Sequence, residues 1–254
     1  MRAYIQSCLL SDGLGENAQD ADYGFRLRGY EIIPYTAEEL RSGVYDQVLQ
    51  NEKDSVIFYG GVGTVKEAVF RSGRPAPPNM DLPQSLTAFF GRAIQEGTMR
   101  DIRVLVNAGS PRLPLHAKPR DHGKLFTGRV FREFKDLIPS AHVSSDEPII
   151  IQECVEFVSE WRAIVLRGGI INVSFYKGDP LLFPDRHVMQ RGLEAFVERP
   201  IACAMDWGVT SDNKTLLVEV NDAHSLGNYG LRCGEYAQVI EARWREMMGL
   251  PDYG

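Results

Sequence analysis

The sequence predicts an α/β layer followed by an α+β region, and three observations carry that reading. Short strands alternate with helical patterns over the first hundred residues, the sign of an open, mostly parallel sheet. Beyond residue 110 the strands are joined by hairpin turns instead. The chain closes on an amphipathic helix, with Tyr236, Ile240, Trp244 and Met248 at i, i+4, i+8 and i+12.

Taken in order, residues 4–10 and 30–35 read as strands, and Thr36 with Glu39 forms a capping box opening a short helix to Arg41. Residues 55–59 make a buried strand running into Gly60-Gly61-Val62-Gly63, and a helix follows over 64–71. Pro75, Pro77 and Pro78 break the chain. Leu86, Phe89, Phe90 and Ile94 at helical spacing predict a helix over 82–96, and 102–106 reads as a strand. Residues 149–155 are an apolar run. Residues 161–166 and 170–176 form a hairpin turning at Gly168-Gly169, and 202–209 and 216–220 a second one turning at Asp212-Asn213-Lys214. A boundary at Gly109-Ser110-Pro111 divides the chain into domains 1–110 and 111–254.

Composition bounds the function. With 254 residues, 24% charged and 44% hydrophobic, the chain is an ordinary globular protein. Its longest apolar run, 201–205, is far short of the roughly 20 residues that span a bilayer. The start lacks the apolar core of a secretion signal, so a cytoplasmic location is expected. Cys8, Cys154, Cys203 and Cys233 are scattered, which suits neither a disulfide scaffold nor a zinc site. A net charge of −6 argues against general nucleic-acid binding but leaves room for a basic cleft that takes a phosphate ligand.

Asp206, Glu219 and Asn221 flank the second hairpin turn, so they converge on one sheet, with 219 and 221 on one face. Two carboxylates and an amide oxygen form a hard, oxygen-only set suited to Mg²⁺; the same pattern also describes a solvated polar sheet face. Lys118 and the loop Lys124 to Gly128, with Thr127, can close over phosphate through ammonium and backbone N–H groups, or form a basic surface loop. Gln152, Glu153 and Val155 end an apolar run and can offer main-chain groups to a flat heterocycle, or are a plain strand end. The Gly60 to Gly63 loop departs from the dinucleotide and phosphate-loop patterns and reads as a substrate-facing edge or a bare turn. His224 lies beside the oxygen set, within reach of a substrate or as an ordinary loop histidine.

Together Lys118-Pro119, Lys124 to Gly128, Ser159-Glu160-Trp161-Arg162, Val218 to Asp222 and Ser225 to Leu231 resemble the small RimK-like ATP-grasp proteins of bacteria and phages. The likeness covers residues 112–248. Two spacings strengthen it: Glu153 and Glu160 stand seven apart, and Asp206, Glu219 and Asn221 stand at 0, +13 and +15, as in ligases such as D-alanine–D-alanine ligase. The resemblance implies an ATP-grasp fold, with an N-terminal α/β pre-grasp domain and ATP held between two α+β subdomains. It implies that Lys118, Lys124, Thr127 and Gly128 hold ATP phosphates. Gln152, Glu153 and Val155 would meet adenine, and Glu160 the ribose. Asp206, Glu219 and Asn221 would bind Mg²⁺, while Arg162, with Lys177 as a second candidate, would face the transferring phosphate. Lys177 also reads as a solvated lysine in a turn.

The implied activity is a Mg²⁺-dependent carboxylate–amine ligase working through an acyl phosphate. The alternative is an ATP-binding module that chaperones a protein partner. Residues 1–70 carry six cations against eleven anions, so an amino-acid or peptide acceptor is expected rather than DNA or RNA.

Overall fold

The computed structural model describes residues 1–7, 15–121 and 125–254. Strands β1 (Arg2–Gln6), β2 (Glu31–Tyr35) and β3 (Val56–Tyr59) form a parallel sheet in the order β2-β1-β3. Parallel strands need crossovers. Helix α1 (Gly15–Leu27) supplies the first, while α2 (Ala37–Arg41) and α3 (Asp46–Asn51) supply the second. The capping box at α2 is present: Glu39 N donates to Thr36 Oγ1 at 3.1 Å, and Thr36 N to the Glu39 carboxylate at 2.7 Å. Helix α4 (Val62–Arg71) follows β3. The expected first strand thus ends at Gln6; its last residues, 8–10, lie outside the described residues.

Two expectations between residues 82 and 106 are corrected. The long helix is only α5 (Thr87–Phe90), preceded by a 3₁₀ turn. Gly91 ends it in a left-handed conformation, φ 58°, where an added Cβ would sit 2.5 Å from Leu216 Cδ2. The chain then enters β4 (Ile94–Thr98). The strand expected over 102–106 is the helix α6 (Met99–Asn107), which Asp101 caps by accepting from Thr98 N at 2.7 Å. Its buried Met99, Ile102 and Val106 stand at i, i+3 and i+7, a helical stripe hidden inside a β-like alternation.

Strands β5 (Leu115–Pro119), β6 (Arg129–Phe131) and β7 (Pro148–Glu153) complete an antiparallel sheet with β4, in the order β4-β7-β5-β6. Because β4 precedes residue 110 and pairs with β7, this sheet runs across the expected domain boundary. Its core gathers Met99, Ile102, Leu115, Phe131 and Ile151.

The third sheet is β11-β10-β8-β9, built from β8 (Phe157–Leu166), β9 (Gly169–Gly178), β10 (Ala202–Thr210) and β11 (Thr215–Asp222). The β8–β9 turn falls on Arg167-Gly168, φ 51° and 76°, one residue earlier than expected, and Gly169 pairs with Leu166. One face packs on α7 (Arg186–Ala195) through Met189, Leu193 and Trp207. The other joins α8 (Cys233–Met248) and the parallel sheet, so Ile164 and Ala204 share a core with Phe58, Tyr236 and Trp244. The expected stripe on α8 is buried throughout.

Candidate active site

Every residue of β10 is buried, and the β10–β11 register sets Asp206 opposite Glu219. Asn221 lies two residues on, its Nδ2 3.1 Å from Asp206 Oδ2 and 3.3 Å from Glu219 Oε1. The three side chains therefore converge. Arg162 on β8 also faces Asp206 and meets it with two hydrogen bonds, Nε to Oδ1 at 2.6 Å. Its guanidinium lies against Tyr229 and Tyr176, 4.2 and 5.3 Å from the ring centres. Burial alone would lower the Arg162 pKa, but Asp206 outweighs it and keeps the guanidinium above its ordinary value.

Lys118 reaches the same place from the neighbouring sheet. Its Nζ is 2.9 Å from Glu219 and 2.7 Å from Asp81, so one ammonium bridges β11 and the segment before α5. Burial works against both charges, yet each holds the other ionised: Lys118 is raised and Glu219 lowered. Gly128 lies against this lysine, and a Cβ there would come within 3.1 Å of Lys118 Cβ and 3.0 Å of the His116 ring.

These groups border a cleft of about 1490 Å³ between the third sheet and the N-terminal unit. Lys118, Thr127, Gly128, Arg162, Glu219 and Asn221 line it, while Asp206 stands behind Arg162 and Asn221. Lys124 lies outside the described residues. The remaining expected residues lie off this cleft. Gln152 accepts from Arg92 Nε at 2.7 Å and bonds His116 at 3.0 Å, and the Glu153 carboxylate accepts from Ala93 N at 2.8 Å. Val155 is half-buried in the connection after β7. Glu160 pairs at 3.0 Å with Lys177, whose side chain is 71% exposed.

Sequence reasoning missed three groups. Arg92 is half-buried and donates to the carbonyls of Leu217 and Val218 at 2.8 and 2.7 Å, tying β7 to the strand that carries Glu219; burial lowers its pKa to about 10. A lone arginine after a glycine gives no signal for this. Asp81 sits in a proline-rich stretch that reads as a linker. Asp222 is gripped by Arg243 at 2.6 and 2.7 Å, and its distance from the helix in sequence hid the pair.

The arrangement is an oxygen-only donor set flanked by two cations, next to a loop whose glycine permits close approach. Asp206, Glu219 and Asn221 offer the hard oxygen donors a divalent cation takes, two carboxylates and an amide; here Asn221 Nδ2 faces the carboxylates, and a turn of the amide would bring Oδ1 in their direction. No group of three His, Cys, Asp or Glu forms a metal cluster among the described residues.

Comparison with known proteins identifies the family and the fold. Residues 89–239 match the family model "ATP-grasp domain, R2K clade family 2". This chain belongs to the ATP-grasp family, R2K clade, and its fold is the ATP-grasp fold. No match is found among curated protein sequences. D-cycloserine synthetase DcsG superposes with a TM-score of 0.62 at 13% identity, covering 96% of this chain and 99% of that one. D-alanine–D-alanine ligase from Bacillus anthracis, solved with ATP, gives 0.58 at 15% identity over 92% and 93%. The ATP-grasp ligase PsnB, solved with a minimal precursor, gives 0.52 at 15% identity over 95% and 98%. Each neighbour is named a ligase or a synthetase, the class of enzyme the sequence predicts. No helix among the described residues is long and apolar enough to cross a membrane.

Proposed function

We propose that the protein is a cytoplasmic, RimK-like, ATP-dependent carboxylate–amine ligase that uses Mg²⁺ and joins an amino acid or peptide through an acyl phosphate. The observation that carries this reading is the meeting of Asp206, Glu219 and Asn221 with Lys118 and Arg162 at one cleft. Family membership supports the use of ATP. We place the division of the chain between α4 and α5, so that β4 and α6 belong with the nucleotide-binding part.

In this reading Lys118 and the residue 125–128 loop hold phosphate oxygens, with Gly128 letting the backbone come close. Lys124, outside the described residues, is given the same task from its place in the sequence. Asp206, Glu219 and Asn221 hold Mg²⁺, which when bound neutralises phosphate charge and draws the phosphates into register. Arg162 is pre-set by Asp206 and the two tyrosines, so little reorganisation is needed when negative charge develops in front of it. Main-chain groups of Gln152, Glu153 and Val155 serve adenine and Glu160 the ribose, their side chains being occupied in part by Arg92, Ala93 and Lys177. Lys177 then acts by holding Glu160 rather than by meeting phosphate.

The test is ATP consumption with Mg²⁺ and pools of amino acids, peptides and metabolites, followed by mass spectrometry. A condensed product, with ADP and phosphate released only when both substrates are present, is expected. Retention of ATP without turnover, with a stoichiometric protein partner, would replace the ligase by the binding-module reading.

A further inference from the structure

Lys118 and Glu219 face opposed demands. In the reading above the lysine is kept for phosphate and the carboxylate for a divalent cation, yet the two hold each other at 2.9 Å. When Glu219 turns away, an ammonium whose side chain is only 13% exposed loses an anionic partner. That loss is costly, because a charge drawn out of water needs compensation. A second partner is already in place. Asp81 Oδ2 lies 2.7 Å from the same Nζ, in a segment that precedes the residues matched by the family model.

Asp81 is held at its carbonyl and its N–H as well as at its carboxylate. Its carbonyl accepts from Val220 N at 2.9 Å, on the outer edge of β11 and one residue past Glu219. Asn79 Nδ2 donates to Arg120 O at 2.8 Å, just past β5, and Asn79 Oδ1 accepts from Asp81 N at 3.3 Å. The 78–81 segment therefore straps the sheet that carries Lys118 to the sheet that carries Glu219, and it lines the cleft. Its prolines suit that task, since Pro77 and Pro78 restrict the backbone and leave little freedom to lose on ordering. These bonds stay in place when the Glu219 side chain turns.

We propose that Asp81 is a positioning residue for Lys118: it holds the ammonium at the cleft while Glu219 turns to a divalent cation, so that lysine and cation do not compete for one carboxylate. This rests on the ligase reading above, in its assignment of Lys118 to phosphate and of Glu219 to the metal. With Asp81→Asn, Lys118 keeps Glu219 as its anion, and a cation must displace the lysine to reach that carboxylate. Metal-free nucleotide instead meets an ammonium with one negative neighbour fewer, so its affinity does not fall. The two effects differ in sign. A segment that had merely come loose would weaken both.

The test uses the full chain and mant-AMP-PNP, a fluorescent, non-hydrolysable ATP analogue, with binding read by fluorescence in EDTA and across a Mg²⁺ titration. Asp81→Asn is expected to raise the Mg²⁺ concentration that half-maximally tightens nucleotide binding by about tenfold, the scale of one charged contact. Its affinity in EDTA should stay within about twofold of the wild type or tighten. Asp81→Glu should recover most of the shift. On a Lys118→Met background, Asp81→Asn should move the Mg²⁺ requirement by less than about threefold, because Asp81 acts through the lysine. Asn79→Ala removes an exposed side chain that aims Asp81; it should give a smaller shift in the same direction and keeps the test decisive where Asp81→Asn does not fold. An unchanged Mg²⁺ requirement in these variants, or equal weakening with and without Mg²⁺, would overturn the role. So would a full shift that persists without Lys118, which would make Asp81 a metal ligand. A wild-type chain that binds no mant-AMP-PNP, or binds it with no response to Mg²⁺, would overturn the ligase reading itself, so the two failures are distinct.

Discussion

Replacing Arg162 by methionine tests a deeply buried ion pair at the site. The two side chains are 7% and 8% exposed, joined by two hydrogen bonds, and the guanidinium is covered by Tyr229 and Tyr176. Methionine keeps much of the volume but leaves the Asp206 carboxylate without its cation, held by the Asn221 amide. Breaking such a pair from one side costs about 3–5 kcal/mol, because a charge stays buried without compensation. With a urea m-value near the top of the usual 1–3 kcal/mol/M, the unfolding midpoint should fall by about 1–2 M. Tryptophan fluorescence reports it from within the same sheet, through Trp161 on β8 and Trp207 on β10. The pH dependence has a definite sign. Burial pushes the Asp206 carboxyl up and Arg162 pulls against it, so without the arginine the native state binds a proton more readily than the unfolded chain. The variant's deficit should therefore shrink as pH falls below neutrality. Adding Asp206→Asn should recover most of the loss, since neither charge remains. A drop below about 1 kcal/mol, or single effects that simply add in the double variant, would refute this account.

Three further outcomes follow from the same geometry. Glu219→Ala and Asn221→Ala should each reduce Mg²⁺-dependent turnover by about 10²-fold or more, and calorimetry of Mg·ATP binding checks whether the loss lies in metal and nucleotide binding. Gly128→Val places branched carbon within 3.1 Å of Lys118 Cβ and against the His116 ring, so ATP affinity should fall while the melting temperature changes little. His116 is held neutral by burial and by the charges of Lys118 and Arg92, its pKa lowered to about 4 from an ordinary 6.5. Between those values the unfolded chain binds the proton and the native state does not, so stability should drop as pH falls through that window. His116→Gln should flatten that part of the curve.

The parts of the molecule that were legible in sequence are those where local chemistry and packing agree. Thr36 with Glu39, the buried strand ending at Tyr59 and the stripe on α8 each carry their own signal. The hairpin holding Asp206 and Glu219 was legible for a different reason: a short turn fixes which residues oppose each other, so a spacing becomes a geometry. What failed was the stretch 82–106, where one glycine in a left-handed conformation outweighed a run of helix-spaced apolar residues. Its consequence was larger than a misplaced element, because β4 joins the sheet that lies beyond residue 110. Lys118 stood out in sequence as a candidate for a phosphate, yet its bridge to Asp81 depends on where a proline-rich segment lies beside the cleft, which no local pattern encodes.

The charge of the N-terminal unit illustrates the difference between a total and a field. Among residues 1–70 the anions outnumber the cations eleven to six, which from sequence alone suggests that an amine is drawn toward this unit. At physiological ionic strength, however, exposed charges are screened beyond about 8 Å, so a ligand in the cleft senses mainly the groups on its own wall. Several acids are spoken for by local partners: Asp22 by Arg26, Asp46 and Glu67 by Arg71, Glu52 by Arg2, and Glu39 by the Thr36 cap. The cleft wall itself carries Arg41, Lys66 and the uncapped start of α4. Net acidity thus acts on polyanions at long range, while a small ligand in the cleft meets Arg41 and Lys66 beside Glu67. Raising ionic strength should then weaken the retention of a small acid on this wall only modestly, whereas any nucleic-acid binding would fall steeply with salt.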